Sequence, residues 1–175
     1  MKDDLVNAIG ALRTGQVMRY HAQPDVPCQS NAEHMWGVAM LMLKFYGAEA
    51  SREMIAAALT HDCGEADIGD IPSPTKCKVP QIRELVKQLE HEALERLELN
   101  YESVLRPEEK TALKICDVLE GLHYTAKHYH RTNGTEGGPT LQAWVELARG
   151  LPLTKAQRDF MYCCIQAPEL RKVGL

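Results

Sequence analysis

Four side chains in this chain have the types and order to do metal chemistry: His34, the adjacent pair His61-Asp62, and Asp117. Two imidazoles and two carboxylates leave positions open on a six-coordinate divalent ion, where a water is acidified and a substrate oxygen polarised. That is the ligand set of a metal-dependent hydrolase. The mixed nitrogen and oxygen donors suit Zn, Mn, Fe, Co or Ni without choosing among them. A divalent transition metal such as Zn, Co or Mn is expected, with Mg as an alternative.

Each of these residues has a plainer reading when taken alone. A histidine on an otherwise apolar helix is usually a hydrogen-bonded core residue. An aspartate directly after a histidine is harder to dismiss. Adjacent side chains on a helix point about 100° apart, yet both would have to meet one centre, and a helix end flanked by Gly64 makes that convergence easier. Asp117 lies among Ile115, Cys116, Val118 and Leu119, where an ionised carboxylate needs compensation. A cation supplies it; a buried base in a purely structural helical protein would also supply it.

The elements that must position these groups read as helices. Asp3 or Asp4 can cap a first helix carrying Leu5, Ile9 and Leu12, ended by Gly15. Gln16 to Gln29, with Pro24 and Pro27, reads as loop. Ser30 to Glu33 has capping-box spacing before the apolar run Met35 to Phe45, so a second helix begins just before His34. Met35, Met40, Met42 and Tyr46 on it read as core or subunit contact. A third helix starts at Ser51, buries Met54, Ile55, Ala58 and Leu59, and carries His61-Asp62 on its last turns. Gly69, Pro72 and Pro74 break regularity from Ala66 to Val79. A fourth helix from Pro80 to about Glu98 uses Ile82, Leu85, Leu89, Leu94 and Leu97 as its apolar residues. Pro107, Glu108 and Glu109 open the helix that contains Asp117. Arg131 to Pro139 is the flexible loop, followed by helices near Leu141–Ala148 and Thr154–Gln166. The expected architecture is all-α, one helical domain over residues 1–175.

Length and 45% hydrophobic content suffice for one core without staples. A net charge of −4 and a pI near 6.0 disfavour polymeric nucleic acid as a partner but allow a local basic pocket for a small anion. Six cysteines show no C-x-x-C pairing, which reads as a reduced cytoplasmic chain with free thiols. The vicinal Cys163-Cys164 pair reads as buried packing. The longest strongly apolar stretch, Val38 to Leu43, is far below the ~20 residues that span a bilayer, so no membrane association is expected.

The order His34, His61-Asp62, Asp117 resembles that of the HD-domain phosphohydrolases, which are all-helical enzymes with this four-ligand site. The stretch His61-Asp62-Cys63-Gly64-Glu65, through Gly69-Asp70-Ile71-Pro72-Ser73-Pro74 to Lys76, resembles the YfbR-like 5'-deoxynucleotidases more specifically, and Arg19-Tyr20 matches in position. That family carries Arg-Trp there, so Tyr20 departs from it and puts in doubt any sugar discrimination carried by the tryptophan. The resemblance covers roughly residues 16 to 120.

The resemblance implies a small-molecule deoxynucleotide as substrate and a role for each matching residue. Glu65, three residues after Asp62, can orient or deprotonate the attacking water and takes the family's catalytic position; in isolation it is a solvated glutamate at a helix end. Asp70 receives a sugar hydroxyl by resemblance, although capping a turn is the common use of Asp after Gly. Arg19 and Lys76 can bind phosphate as fork and point charge, or be ordinary surface cations; Lys78 and Arg83 are weaker candidates. Tyr20 is placed in the substrate pocket by position. Glu33 serves the capping box or the ligand shell. His123, His128 and His130 lack converging carboxylates and define no second metal site.

Short phage-encoded relatives of similar length remove the whole triphosphate from dATP, and the expectation leans to that activity, releasing deoxynucleoside and triphosphate in the cytoplasm of a host. The alternatives are a 5'-deoxynucleoside monophosphatase and a non-catalytic nucleotide-binding HD module. Family habit and apolar content favour a homo-oligomer, a dimer or higher.

Overall fold

A 25-residue helix, α6 (Pro107–Arg131), is the spine of the structure, and four of the other helices pack against its two faces. The computed structural model describes residues 2–166, without the side chains of residues 2–5 and 74. In chain order the remaining elements are α1 (Lys2–Thr14), β1 (Met18–Arg19), β2 (Gln29–Ser30), α2 (Asn31–Tyr46), α3 (Arg52–Ala58), α4 (Ser73–Lys78), α5 (Pro80–Arg96), α7 (Gly138–Arg149) and α8 (Lys155–Ile165). Short 3₁₀ turns occupy Gly47–Glu49, Cys63–Ala66 and Tyr101–Val104. The expected all-α class is therefore borne out, with one small ladder added.

The two faces of α6 build two halves of the core. Ala112, Leu113 and Cys116 pack with Val38, Ala39 and Met42 of α2 and Met54, Ala57 and Ala58 of α3. Ile115, Val118, Leu119, Leu122 and Ala126 pack with Leu141, Val145 and Ala148 of α7 and Met161 and Cys164 of α8. Leu119 and Leu122 are fully buried, and each contributes about 1.5–3 kcal/mol by leaving water. Gly121 lets α7 close in, since a Cβ there would stand 2.7 Å from Trp144 Cζ2.

Local signals set the helix starts. Ser30 has extended backbone and its hydroxyl accepts from the Glu33 amide at 3.1 Å. The Glu33 carboxylate does not return to the Ser30 amide, so the cap forms without the reciprocal half of the box. Ser51 caps α3 through the Met54 amide, and Pro107 opens α6 with the Glu109 carboxylate accepting from the Arg106 amide.

Several expectations are corrected. α1 is helical from Lys2, so Asp3 and Asp4 lie inside it and do not cap it; their side chains and that of Leu5 are outside the described ones. Ile9 and Leu12 are exposed, because α1 meets the fold mainly through the Cys63–Ala66 turn. Within the expected loop, β1 and β2 pair antiparallel with Met18 opposite Ser30 and Arg19 opposite Gln29. α3 stops at Ala58, leaving Leu59 exposed and His61-Asp62 beyond the helix. The irregular stretch before Pro80 contains α4. On α5, Leu85 is exposed while Val86 and Ala93 are buried, because the helix turns a different stripe inward. Met40 and Cys163 face solvent, whereas Met35, Met42 and Cys164 are buried.

Candidate metal centre

Three elements bring the four predicted ligands together. His34 comes from the first turns of α2, Asp117 from the middle of α6, and His61-Asp62 from the turn between α3 and the following 3₁₀ segment. The turn solves the problem of two consecutive ligands. The His61 amide still bonds Ala57 O at 2.9 Å, but the backbone then leaves the helix and Asp62 takes φ −96°, ψ 5°, the sparsely populated bridge region where active-site residues are often found. Gly64 sits two residues on, so close to α5 that a Cβ would stand 2.5 Å from Glu90 O. A side chain is thereby excluded where the turn docks.

His34 Nε2 is the hub. It lies 3.3 Å from His61 Nε2, 3.3 Å from Asp117 Oδ1 and 3.5 Å from Asp62 Oδ2. His61 Nε2 is in turn 3.5 Å from Asp62 Oδ1. Donor atoms of His34, His61 and Asp117 all fall within 4.8 Å of one another. This donor set fits a divalent ion, with Asp62 at the edge of the cluster.

The imidazoles are held from behind. His61 Nδ1 meets the Ala58 carbonyl at 3.1 Å. His34 is fully buried, and its Nδ1 meets Glu120 Oε2 in a short hydrogen bond. Glu120 Oε1 accepts from Gln29 Nε2 at 2.7 Å. Glu65 is buried and accepts from Asn31 Nδ2 at 2.9 Å, while the same amide reaches Asp62 O at 3.2 Å.

Charge is concentrated here and shifts the titration of each group. Burial and Arg19 pull His34 downward, but hydrogen bonds with Asp117 and Glu120 and the charge of Asp62 prevail and raise it to about 9. Burial opposes ionisation of Asp117, yet Lys114 and His34 hold it well below the usual carboxylate range. Asp62 is lowered against its burial by His61, Arg19 and His34. Glu65 moves the other way: burial first, then the charge of Asp62, raise it to about 8 despite the Asn31 hydrogen bond.

Of the remaining candidates, Arg19 is at the centre, its Nη1 donating to Asp62 Oδ2 at 2.5 Å. Arg19 Nε and Asn31 Oδ1 are buried beside the cluster without a hydrogen-bond partner among the described residues. A ligand or water must complete them, since leaving such atoms unpaired costs about 1–3 kcal/mol. Tyr20 is buried with φ +61° and its ring stacked on Tyr124 at 5.6 Å. Asp70 is half-buried after Gly69, near enough to push Glu65 upward. Lys76 pairs with Glu90 at 3.4 Å, and Arg83 Nη2 donates to Cys77 Sγ at 3.3 Å. The three later histidines do not converge on one centre: His123 meets Cys164 Sγ, His128 meets Glu136 and His130 meets Cys164 O.

Sequence reasoning missed Asn31, Glu120, Gln29 and Lys114. Asn31 lies three residues before His34, and Lys114 and Glu120 three residues either side of Asp117, so helical spacing puts them beside the ligands. Lys114 Nζ donates to Asp117 Oδ2 at 2.8 Å.

A helical fold that gathers two histidines and two aspartates in this order defines an HD-type protein. The chain belongs to the YfbR-like 5'-deoxynucleotidase family, whose model matches residues 11–124. It is 31% identical over 117 residues to a dATP triphosphohydrolase of Cyanophage S-2L and 30% identical over 129 residues to one of Salmonella phage PMBT28. These matches span 63% and 67% of the chain but under two thirds of the relatives, 65% and 64% of their lengths. The fold is similar to the Cyanophage S-2L HD phosphohydrolase DatZ bound to dA and one catalytic Zn²⁺ ion, with TM-score 0.69, 22% identity, and coverage of 93% and 96% of the two chains. A Pyrococcus horikoshii OT3 protein is similar with TM-score 0.68 at 20% identity, covering 93% and 98%.

Proposed function

We propose that this protein is a metal-dependent deoxynucleotide phosphohydrolase that cleaves dATP or a related dNTP to deoxynucleoside and triphosphate. The observation that carries the reading is the convergence of His61 Nε2 and Asp117 Oδ1 on His34 Nε2, each at 3.3 Å, with Asp62 and Arg19 alongside. His34, His61, Asp62 and Asp117 would hold the ion, Zn, Co or Mn by their donor types. When bound, the ion supplies Lewis-acid polarisation of the phosphoryl group and lowers the pKa of a water.

The chain's own residues supply the rest. Glu65, poised near neutrality and oriented by Asn31, takes the proton of the water as it attacks the α-phosphorus. The bond from phosphorus to the 5' oxygen breaks, and the leaving oxygen takes up a proton to give the deoxynucleoside, balancing the one that Glu65 removed from the water. Arg19 carries its positive charge throughout and offers its free Nε–H to a phosphate oxygen. Lys114, tethered to Asp117, extends the positive field toward the phosphate tail. Asp70 receives a sugar hydroxyl, and Tyr20 on its Tyr124 stack closes the pocket wall.

A second reading, hydrolysis of dNMP to deoxynucleoside and orthophosphate, is favoured by the family description and by Lys76. Its ammonium is tied to Glu90 and so has to be released before it can serve a longer phosphate chain.

All six cysteines are free, which fits a reducing cytoplasm, and no helix among the described residues is long and apolar enough to cross a membrane. Exposed Trp36, Met40 and Leu43 on α2 support assembly of this single domain into a homo-oligomer, which sedimentation velocity tests.

The deciding experiment is product analysis from a panel of dNMPs and dNTPs with Mn, Co, Zn or Mg, with Asp62→Ala in parallel. Triphosphate from dATP supports the first reading, and orthophosphate from dNMPs alone supports the second. Absence of Asp62-dependent turnover with every metal would refute both.

A further inference from the structure

We infer that Glu120 is a positioning residue for His34, fixing which ring nitrogen faces the metal, and that Gln29 and Gly37 exist at their positions to hold it. The inference rests on the reading of His34 as a metal ligand and goes beyond it, because Glu120 lies outside the ligand set.

The geometry is directional. Every prospective ligand atom lies on the Nε2 side of the His34 ring, and Glu120 is the partner on the Nδ1 side. A carboxylate can only accept there, so Nδ1 carries the proton, and in the neutral ring that a metal requires Nε2 is the nitrogen with the lone pair. His61 is set the same way, but by the Ala58 carbonyl, a neutral acceptor that comes with the backbone. His34 instead has a charged acceptor that the sequence had to supply.

Glu120 cannot drift from this task. Its second oxygen is pinned by Gln29 Nε2 at 2.7 Å. Gln29 is fully buried and is the register partner of Arg19 across the β1–β2 ladder. The short ladder therefore delivers one strand to Asp62 and the other to the residue behind His34. On the remaining side Gly37, one turn after His34, lies so close that a Cβ would stand 2.7 Å from Glu120 Cγ and 3.1 Å from Oε1. A glycine is required there by close approach to a side chain, since its backbone is ordinary helix.

The test measures Zn²⁺ affinity by competition with a chromophoric chelator, together with the visible spectrum of the Co²⁺-substituted protein. Neither depends on turnover. Glu120→Leu is expected to weaken Zn²⁺ binding about 10–100-fold, the range found for partners of ligating histidines. Glu120→Gln keeps the volume and guards against misfolding. The Gln29 amide can rotate to match it, so a smaller loss is expected, with a shifted Co²⁺ spectrum. Gly37→Ala keeps the carboxylate but displaces it, and is expected to weaken binding as well. His34→Ala is the reference and should abolish binding. Wild-type Zn²⁺ affinity and Co²⁺ spectrum in all three indirect variants, with binding lost only in His34→Ala, overturns the role of Glu120 and leaves the metal site standing. Unchanged binding in His34→Ala overturns the metal reading itself, and the inference with it.

Discussion

Arg19 Nη1 and Asp62 Oδ2 meet 2.5 Å apart in a half-buried ion pair that joins β1 to the turn carrying the candidate ligands. The guanidinium thus neutralises a prospective metal ligand from outside the cluster. Removing one member of a buried pair costs about 3–5 kcal/mol when nothing else compensates. His34 and His61 flank Asp62, so Arg19→Ala should lower the melting temperature by less than that implies. Zn²⁺ should narrow the gap between variant and wild type, because it offers Asp62 a second cation. Arg19→Lys keeps the charge but loses the fork, and kcat/KM should fall at least about 10-fold. Thermal melts with and without Zn²⁺ and steady-state kinetics check both outcomes.

Loss of a ligand should show in metal content before it shows in anything else. His34→Ala and Asp117→Ala are expected to purify without stoichiometric metal and to lose turnover. For the wild type, Zn²⁺ at a hundred times its Kd should stabilise the fold by about 2.7 kcal/mol, raising the melting temperature by about 5–10 °C over chelator-treated protein. A melting temperature indifferent to both metal and chelator would count against the site.

Glu65 gives the pH dependence a definite sign. Its carboxyl is raised from its ordinary value to about 8 in the fold. Between these values the unfolded chain has lost the proton and the folded chain keeps it, so stability falls with rising pH, by about 1.4 kcal/mol per unit at most. Glu65→Gln removes this penalty. In metal-free protein the variant should melt higher than wild type, with the advantage growing from pH 5 to pH 8 and levelling above. Turnover should be lost at every pH, whereas wild-type activity should rise with pH as Glu65 ionises. A constant difference in melting temperature across this range would remove Glu65 as the titrating group.

Gly64 should tolerate no side chain. A Cβ there meets the Glu90 backbone, not a movable side chain, so α5 or the ligand turn must shift. Gly64→Ala is expected to cost about 1–3 kcal/mol and to weaken Zn²⁺ binding. Equilibrium urea unfolding and metal titration on the same preparation separate the two effects.

The candidate ligands drew notice in the sequence because the two aspartates are awkward without compensation, Asp117 in an apolar run and Asp62 beside His61. The turn that unites the last two was not, since the apolar spacing of α3 runs on past Ala58 while the chain itself stops being helical. Glu120 was hidden for a related reason. It stands between Leu119 and Gly121 in a helix whose other buried members are mostly apolar, and only the approach of α2 reveals what it bonds. Leu59 shows the opposite failure, where apolar spacing predicted burial that the end of α3 does not provide.

Between α2, α6 and α8 lies a cleft of about 250 Å³ lined by Trp36, Met40, Glu120, Tyr124 and Phe160. The residue behind His34 therefore also lines a cleft to which none of the four candidate ligands contributes. For inhibitor design this offers a rear approach: an aromatic compound filling the cleft and drawing Glu120 toward itself would slacken His34 without resembling a nucleotide or competing with one.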